Sequence, residues 1–199
     1  CVKISAMNIE RPKKGYYDSH NRFNPSAAES QARYSFAAER IAASITDGYN
    51  LVGDLSCGIG ESTSFLEDSL TTKTNNSMMM VGVDIDRNSI IEAVKRGIRN
   101  HSYSQLDLGE SGLRSKISRI NNGRADFNGI ASIETIEHIR PILAVDVLLS
   151  NLHDLLIAKN GTLVISSPNR RFFANDRYHP YTIFHAQEFN VDEFSEILD

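Results

Sequence analysis

The sequence is organised around residues 51–60, which read Leu-Val-Gly-Asp-Leu-Ser-Cys-Gly-Ile-Gly. The apolar start, rich in β-forming residues, predicts a strand that contains Asp54, and Gly58 and Gly60 predict a turn. Residues from Glu61 onward are compatible with a helix, whose first turn favours a carboxylate. A strand, a glycine turn and a helix form the opening of a nucleotide-type site, where bare backbone lets a ligand come close to the helix N–H groups.

Two cofactor classes compete for this opening, and a purely structural glycine loop is a third interpretation. A dinucleotide site needs a third Gly or Ala three residues after the second glycine, and Thr63 occupies that position. The carboxylate of Asp54 would also repel a pyrophosphate. An acidic residue at this point suits a cationic group, such as the amino group of an amino-acid cofactor.

Residues 54–60, Asp-Leu-Ser-Cys-Gly-Ile-Gly, resemble motif I of class I S-adenosylmethionine-dependent methyltransferases in its Asp-x-x-Cys-Gly-x-Gly form. Serine stands at position 56, where glycine is commoner in that family. The resemblance implies that S-adenosylmethionine is the cofactor and that it is bound by Asp54, Ser56, Cys57, Gly58 and Gly60.

Length and composition limit the class of protein. The 199 residues, 41% hydrophobic and 23% charged, predict a single domain over 1–199 with an extended lead-in at 1–25. A net charge of −4 gives no overall attraction to nucleic acid, so we expect a small-molecule partner. Two cysteines cannot build a disulfide framework, and no apolar run is long enough to span a membrane. We therefore expect a cytoplasmic location.

The rest of the chain alternates between strand-like and helix-like segments. Five strands are predicted, one starting at Leu51 and the others at 78–84, 102–106, 127–133 and 162–166. Helices are predicted at 26–48, 61–70, 87–99, 141–157 and 191–198, with 71–77 as a loop and 109–122 as a loop or short helix. Apolar spacing predicts the inner faces of two of them: that of 26–48 carries Tyr34, Ala38, Ile41 and Ile45, and that of 87–99 carries Ile90, Ile91, Val94 and Ile98. This alternation predicts an α/β fold with a Rossmann-like, doubly wound, mostly parallel sheet flanked by helices. Ligands of such sheets bind at the carboxyl ends of the strands.

Acidic residues follow two of these strands. Asp84 closes the second strand and can accept hydrogen bonds from both hydroxyls of a ribose, whereas Asp86 suits a helix cap. Asp107 could accept from an adenine amine, with Leu108 beside the ring. Ile85 would pack on the other face of the ring in the family pattern. An ordinary turn or loop role remains open for Asp84 and Asp107.

The string Glu134-Thr-Ile-Glu137-His138 has three interpretations. If a helix begins there, its two carboxylates and one histidine lie on one face and could bind a metal with a later histidine. A similar arrangement holds metal in small-RNA 2′-O-methyltransferases. The string could also serve acid–base chemistry, or only favour a helix start. Because the sulfonium is already a good leaving group, we expect that no metal is bound and that activity is metal-independent. Glu134 is expected to lie near the cofactor.

Three histidines are candidate general bases. His138 follows the fourth predicted strand, and His179 and His185 lie in the irregular stretch after the fifth, where loops at the ligand edge carry substrate contacts. A lone loop histidine can equally be an ordinary surface residue.

The resemblance extends over most of the chain and narrows the group. The segments that look like a bacterial methyltransferase group, whose members accompany glycosyltransferases, are 21–25, 32–37, 132–138, 165–169, 179–181, 188–189 and 192–194. By that resemblance, Arg33 and Tyr34 approach the methionine end of the cofactor. The family sheet also ends in a hairpin that follows the last helix. We therefore expect a trimmed chain with an exposed sheet edge beside the fifth strand.

The predicted function is transfer of a methyl group from S-adenosylmethionine to an oxygen or nitrogen of a small molecule, preferably a sugar or glycan intermediate. In such an in-line displacement the protein mainly aligns the acceptor with the sulfonium. One alternative is a metal-assisted RNA 2′-O-methyltransferase, and another is a non-catalytic cofactor-binding module of a longer chain.

Overall fold

The computed structural model describes residues 3–6, 25–140, 143–156, 161–173 and 185–198. Within them the strands are β1 Lys3–Ala6, β2 Leu51–Leu55, β3 Met79–Asp84, β4 His101–Gln105, β5 Gly129–Ile133 and β6 Thr162–Ser166. The helices are α1 Pro25–Ala42, α2 Glu61–Thr74, α3 Arg87–Lys95, α4 Leu113–Ile120, α5 Leu143–Leu156, α6 Arg170–Phe173 and α7 Val191–Leu198, with a 3₁₀-helix at Ile136–His138. None of the helices described is both long and apolar enough to cross a membrane.

The strands form one six-stranded parallel sheet in the order β1-β6-β5-β2-β3-β4. From β2 the chain first builds outward through β3 and β4, and then returns to add β5 and β6 on the other side of β2. The order therefore reverses between β2 and β5. In doubly wound sheets this switch point opens a crevice beyond the carboxyl ends of the strands. The predicted fold class is confirmed.

Strand β1 was not predicted, and it corrects two expectations: that the sheet has five strands, and that the sheet edge beside β6 is exposed. Lys3–Ala6 lies inside the predicted lead-in and pairs in parallel with β6, Ile4 opposite Leu163. The sheet edge beside the fifth predicted strand is therefore covered, and the expectation that it is exposed was wrong. Four residues carry too little alternation for a strand to be predicted from sequence.

The core lies on both faces of the sheet. One apolar cluster joins α4 and α5 to the sheet, and a second joins α1 and α2 to it. The predicted inner face of α1 is confirmed at Tyr34, Ala38 and Ile41, which are all buried. Gly129 allows close packing there, because a Cβ at that position would lie 2.2 Å from Ile41 Cγ2.

Several predicted helix boundaries were wrong. Helix α1 ends at Ala42, before Gly48, and α2 continues to Thr74 through the segment predicted as a loop. Helix α2 stops where Asn75 adopts a left-handed φ of 57° and donates its N–H to the Thr71 carbonyl at 2.9 Å.

Helix α3 is shorter than predicted, and its inner face differs. It ends at Lys95, before Gly97, whose φ of 61° lies in the left-handed region. Ile90 and Ala93 are buried, whereas Ile91 and Val94 are 41% and 56% exposed. The short helix rests on β4 and β3 along one narrow stripe, so apolar spacing alone overestimated its buried face.

Candidate cofactor site

The glycine turn after β2 depends on three residues with positive φ. These are Ser56 at 108°, Gly58 at 52° and Gly60 at 79°. Gly60 is also required for space, because a Cβ there would lie 2.7 Å from Tyr103 Oη. The N–H of Ser56 donates to the Val83 carbonyl at 2.8 Å, which fixes the start of the turn on β3.

Serine at position 56 adopts a backbone conformation that favours glycine. Its side chain accepts a hydrogen bond, because Thr135 Oγ1 donates to Ser56 Oγ at 2.8 Å. This hydrogen bond ties the turn after β2 to the segment after β5. Ser56 therefore combines a strained backbone conformation with a side-chain contact across the switch point.

Asp54 lies beneath the turn and is fully buried. Tyr34 Oη donates to its Oδ1 at 2.8 Å and Thr63 Oγ1 donates to its Oδ2 at 2.6 Å. Burial raises the pKa of Asp54 to about 6, although both hydrogen bonds favour the charged form and oppose this shift. Thr63, at the position where a dinucleotide site has Gly or Ala, therefore supports the carboxylate of Asp54.

Asp84 is held by backbone N–H groups at both carboxylate oxygens. Gly58 N donates to Oδ2 and Asp86 N donates to Oδ1, each at 2.8 Å. Asp86 caps α3, as predicted, because its Oδ2 accepts from Ser89 N at 2.8 Å. The carboxylate of Asp84 is thus fixed at the end of β3, beside the glycine turn.

Two cavities open at the carboxyl ends of the strands. The first has a volume of about 460 Å³, and the predicted residues that line it are Ser56, Gly58, Asp84, Ile85, Asp107, Leu108, Glu134 and His138. The second has a volume of about 390 Å³, and the predicted residues that line it are Arg33, Tyr34, Ser56, Cys57, Gly58 and Glu134. Both volumes lie in the range of small-molecule sites. The cavities share three residues and so adjoin each other, while Asp54 and Gly60 line neither.

Glu134 joins the two cavities in a strained conformation, with φ 53°. Its N–H and its carboxylate both bond to Ser166 Oγ, at 3.1 and 2.8 Å. Arg33 Nη2 lies 3.4 Å from the carboxylate. The expectation that Glu134 shares a helix face with Glu137 and His138 was wrong, because the 3₁₀-helix begins only at Ile136.

Glu137 and His138 meet His185 instead. Each of the three offers one ligand atom, and these atoms lie within 4.8 Å of one another. The Glu137 side chain is 1% exposed, and neither of its carboxylate oxygens has a hydrogen-bond partner among the described residues. Burial, and secondly the charge of Glu134, raise the pKa of Glu137 to about 8. The rings of His138 and His185 lie edge to face, 5.0 Å apart.

Backbone contacts hold His185 in this cluster. The N–H groups of Ala186 and Gln187 donate to the Glu137 carbonyl at 2.7 and 3.2 Å. His185 Nδ1 lies 2.5 Å from Oε1 of Glu188, whose side chain is buried. No role was predicted for Glu188 from sequence, although it follows His185 at an i, i+3 spacing. His179 lies outside the described residues.

No protein-family model and no curated protein sequence matches this chain. Solved structures do resemble it. One is the plantazolicin methyltransferase BamL in complex with a triazolic desmethylPZN analog and SAH (TM-score 0.60, 17% identity, covering 87% of this chain and 61% of that one). Another is the DhpI–SAH complex (TM-score 0.56, 17% identity, 87% and 73% covered). A third is the plantazolicin methyltransferase BpumL with the same two ligands (TM-score 0.55, 14% identity, 84% and 60% covered).

At these identities the likeness concerns the fold, and the chain spans about three fifths of the length of the two plantazolicin enzymes. The chain therefore has the fold of S-adenosylmethionine-dependent methyltransferases.

Proposed function

We propose that this protein binds S-adenosylmethionine across the two adjoining cavities and transfers its methyl group to an oxygen or nitrogen of a small molecule. The observation that carries the proposal is the position of Asp84. Its carboxylate lies at the end of β3, is oriented by two backbone N–H groups, and borders the glycine turn and the first cavity. A fixed carboxylate in such a place suits the two hydroxyls of a ribose.

The first cavity suits the adenosine part of the cofactor. Ile85 and Leu108 both line it and offer apolar surface for the adenine ring, while Asp107 offers a carboxylate for the exocyclic amine. Asp107 Oδ1 accepts from Gly109 N at 2.8 Å, which orients the carboxylate. The side chain of Ile85 is accessible for such a contact, because this residue is 64% exposed.

The second cavity suits the methionine part. Glu134 provides a negative charge for the amino group, and Arg33 provides a positive charge for the carboxylate. Tyr34 lines the same cavity and is held by Asp54. The carboxylate of Asp54 thus acts from below, by fixing Tyr34 and the start of α2, and it adds negative potential under the amino group. A dinucleotide fits less well, because its pyrophosphate would face these carboxylates.

The methyl group replaces a proton on the acceptor molecule. A base takes up this proton. His138 lines the first cavity, and its side chain is 46% exposed, so an acceptor can reach it. We propose that His138 takes this proton when no metal is bound. His185, whose ring lies beside that of His138, is the second candidate base. His179 stays a candidate on the strength of the sequence alone.

The preferred acceptor is a sugar or glycan intermediate. Its support is the resemblance of segments such as 132–138 and 165–169 to the bacterial group that accompanies glycosyltransferases. The direct test is methyl transfer from radiolabelled S-adenosylmethionine to fractionated glycan precursors. Labelled product supports the proposal. Cofactor binding without transfer to any glycan, peptide or RNA fraction would instead favour a non-catalytic binding module.

A further inference from the structure

We propose that Glu137, His138 and His185 form a binding site for a divalent first-row transition metal ion beside the cofactor cavity. The sequence led us to expect no metal, because the sulfonium is already a good leaving group and because Glu134, Glu137 and His138 needed a later histidine to complete a ligand set. The structure changes that set. Glu134 bonds to Ser166 and pairs with Arg33, so it is not part of the cluster. His185, which follows His138 by 47 residues, replaces Glu134 as the third candidate ligand.

The geometry needs little change to accept an ion. The three ligand atoms lie within 4.8 Å of one another, and Glu137 Oε1 is 4.0 Å from His138 Nε2. Ligands about 2.0–2.2 Å from a tetrahedral ion are about 3.3 Å apart. An approach of roughly one ångström is therefore required. The side chain of His138, which would make this approach, is 46% exposed.

The carboxylate of Glu137 is the second, independent observation. It is buried, and neither oxygen accepts a hydrogen bond from any residue that the structure describes. Buried carboxylates are normally paired, hydrogen-bonded or bound to a metal. A purely structural Glu137 would be expected to have a donor. A cation between the two histidines supplies the missing partner.

Glu188 completes the pattern. It binds Nδ1 of His185 at 2.5 Å, which fixes the orientation of the ring and leaves Nε2 as the nitrogen available to an ion. A carboxylate on the far nitrogen of a ligand histidine is the usual second contact in metal sites. Glu137 and Glu188 together also place two buried carboxylates close to the ion, which balances a double positive charge.

The ligand types select the class of ion. Two imidazoles and one carboxylate suit zinc, manganese, iron or cobalt, whereas magnesium and calcium prefer oxygen ligands. Three protein ligands leave a coordination position open, and His138 places the site at the wall of the first cavity. The task of the ion rests on the proposed function: an acceptor hydroxyl or amine that coordinates there loses its proton more easily. His138 then holds the ion and does not itself take the proton.

Binding can be tested without any acceptor. Tag-free protein is stripped with a chelator and titrated with Co²⁺ by visible absorption and with Zn²⁺ by calorimetry, with Mg²⁺ and Ca²⁺ as comparison ions. We expect one Co²⁺ or Zn²⁺ per chain and negligible binding of Mg²⁺ and Ca²⁺. Glu137→Gln and His185→Ala should each weaken binding by about 100-fold, and Glu188→Gln by about 10-fold.

The matched control is His153→Ala, which removes an exposed histidine of α5 that lies beside Asp154 and outside the cluster. It should leave the affinity unchanged. Glu137→Gln should still fold, because an amide of nearly the same shape replaces the buried carboxyl group. Absence of saturable binding at one ion per chain, or binding that neither Glu137→Gln nor His185→Ala weakens, would overturn the proposal. Binding of S-adenosylhomocysteine, measured separately, tests the proposed function, so the two can fail independently.

Discussion

The backbone N–H of Gly58 donates to Oδ2 of Asp84 at 2.8 Å, and this contact joins the glycine turn to the end of the neighbouring strand. Because the two residues are 26 positions apart, the turn and the carboxylate are positioned by the sheet register and not by local sequence. A ligand that reaches the carboxylate of Asp84 from the first cavity therefore has Gly58 in the same cavity wall.

This contact predicts what a change at Asp84 does. Asp84→Ala should weaken binding of S-adenosylhomocysteine by about 1–3 kcal/mol, because charge-assisted hydrogen bonds to the ribose are lost. The control is Asp86→Ala, which removes the cap of α3 and should lower stability with little effect on affinity. Calorimetry on both variants checks this. Equal affinity in Asp84→Ala and the parent protein would exclude Asp84 as a ribose ligand.

Asp54 predicts a stability effect that depends on pH. Its pKa is about 6 in the folded protein and ordinarily 3.8, so the folded state holds the proton more tightly between these values. The free energy of unfolding should therefore fall as pH rises from about 4 to about 6, and this contribution should be constant above about 7. Asp54→Asn lacks this loss and should exceed the parent protein by about 1–3 kcal/mol at pH 8.

Urea denaturation of both proteins at pH 5 and pH 8 measures this difference. Tyr34→Phe is the useful comparison, because it removes a hydrogen-bond donor to Asp54 and should destabilise the protein by about 1–2 kcal/mol. A gap between parent and Asp54→Asn that shrinks on going from pH 5 to pH 8 would contradict the account of Asp54.

Ser56 predicts an order of stability between two substitutions. Ser56→Ala keeps a side chain at φ 108° and loses the contact with Thr135, whereas Ser56→Gly loses the contact and relieves the backbone. We expect the glycine variant to be more stable than the alanine variant by about 1 kcal/mol. Thermal unfolding measures the order, and an alanine variant at least as stable as the glycine variant would contradict the role of the backbone conformation.

His138 predicts a separation of rate from affinity. Once a methyl acceptor is known, His138→Ala should lower kcat by about 10²–10⁴ while leaving the affinity for S-adenosylhomocysteine nearly unchanged. His153→Ala is again the matched control and should change neither quantity. Loss of cofactor affinity in parallel with kcat would mean that His138 supports the cofactor cavity and does not serve the reaction.

Removal of metal by a chelator distinguishes the two proposed roles of His138, as a metal ligand and as the base. If an ion at Glu137, His138 and His185 assists the reaction, chelator-treated protein should lose activity, and Mn²⁺, Co²⁺ or Zn²⁺ should restore it. Activity that survives complete removal of metal would return the reaction to the metal-free mechanism expected from sequence, with His138 as the base.

Much of the fold follows from local sequence. The runs at β2, β3, β5 and β6 are apolar enough to predict buried strands, and the spacing on α1 predicts its inner face. Helix ends were less predictable, because α2 runs through a polar segment and stops only where Asn75 adopts a left-handed φ. Strand β1 depends on pairing with β6, which no local pattern announces.

Some features of the candidate site could likewise be predicted from sequence, and others could not. The turn at Gly58 and Gly60 and the carboxylate at the end of β3 follow a recognisable pattern. The role of Thr63 does not, because its partner Asp54 is apparent only in three dimensions. The left-handed φ of Glu134 removes it from a face that helical spacing had assigned to it, and His185 reaches Glu137 only through the fold.

Calorimetric titration of the parent protein with S-adenosylhomocysteine and, separately, with NAD⁺ tests the central claim most directly. The carboxylates of Asp84 and Glu134 and the buried pair of Asp54 and Thr63 favour the first ligand and oppose a pyrophosphate. We predict one S-adenosylhomocysteine per chain with an affinity on the order of micromolar, near −8 kcal/mol, and no measurable binding of NAD⁺. Tight binding of NAD⁺ together with no binding of S-adenosylhomocysteine would contradict the account.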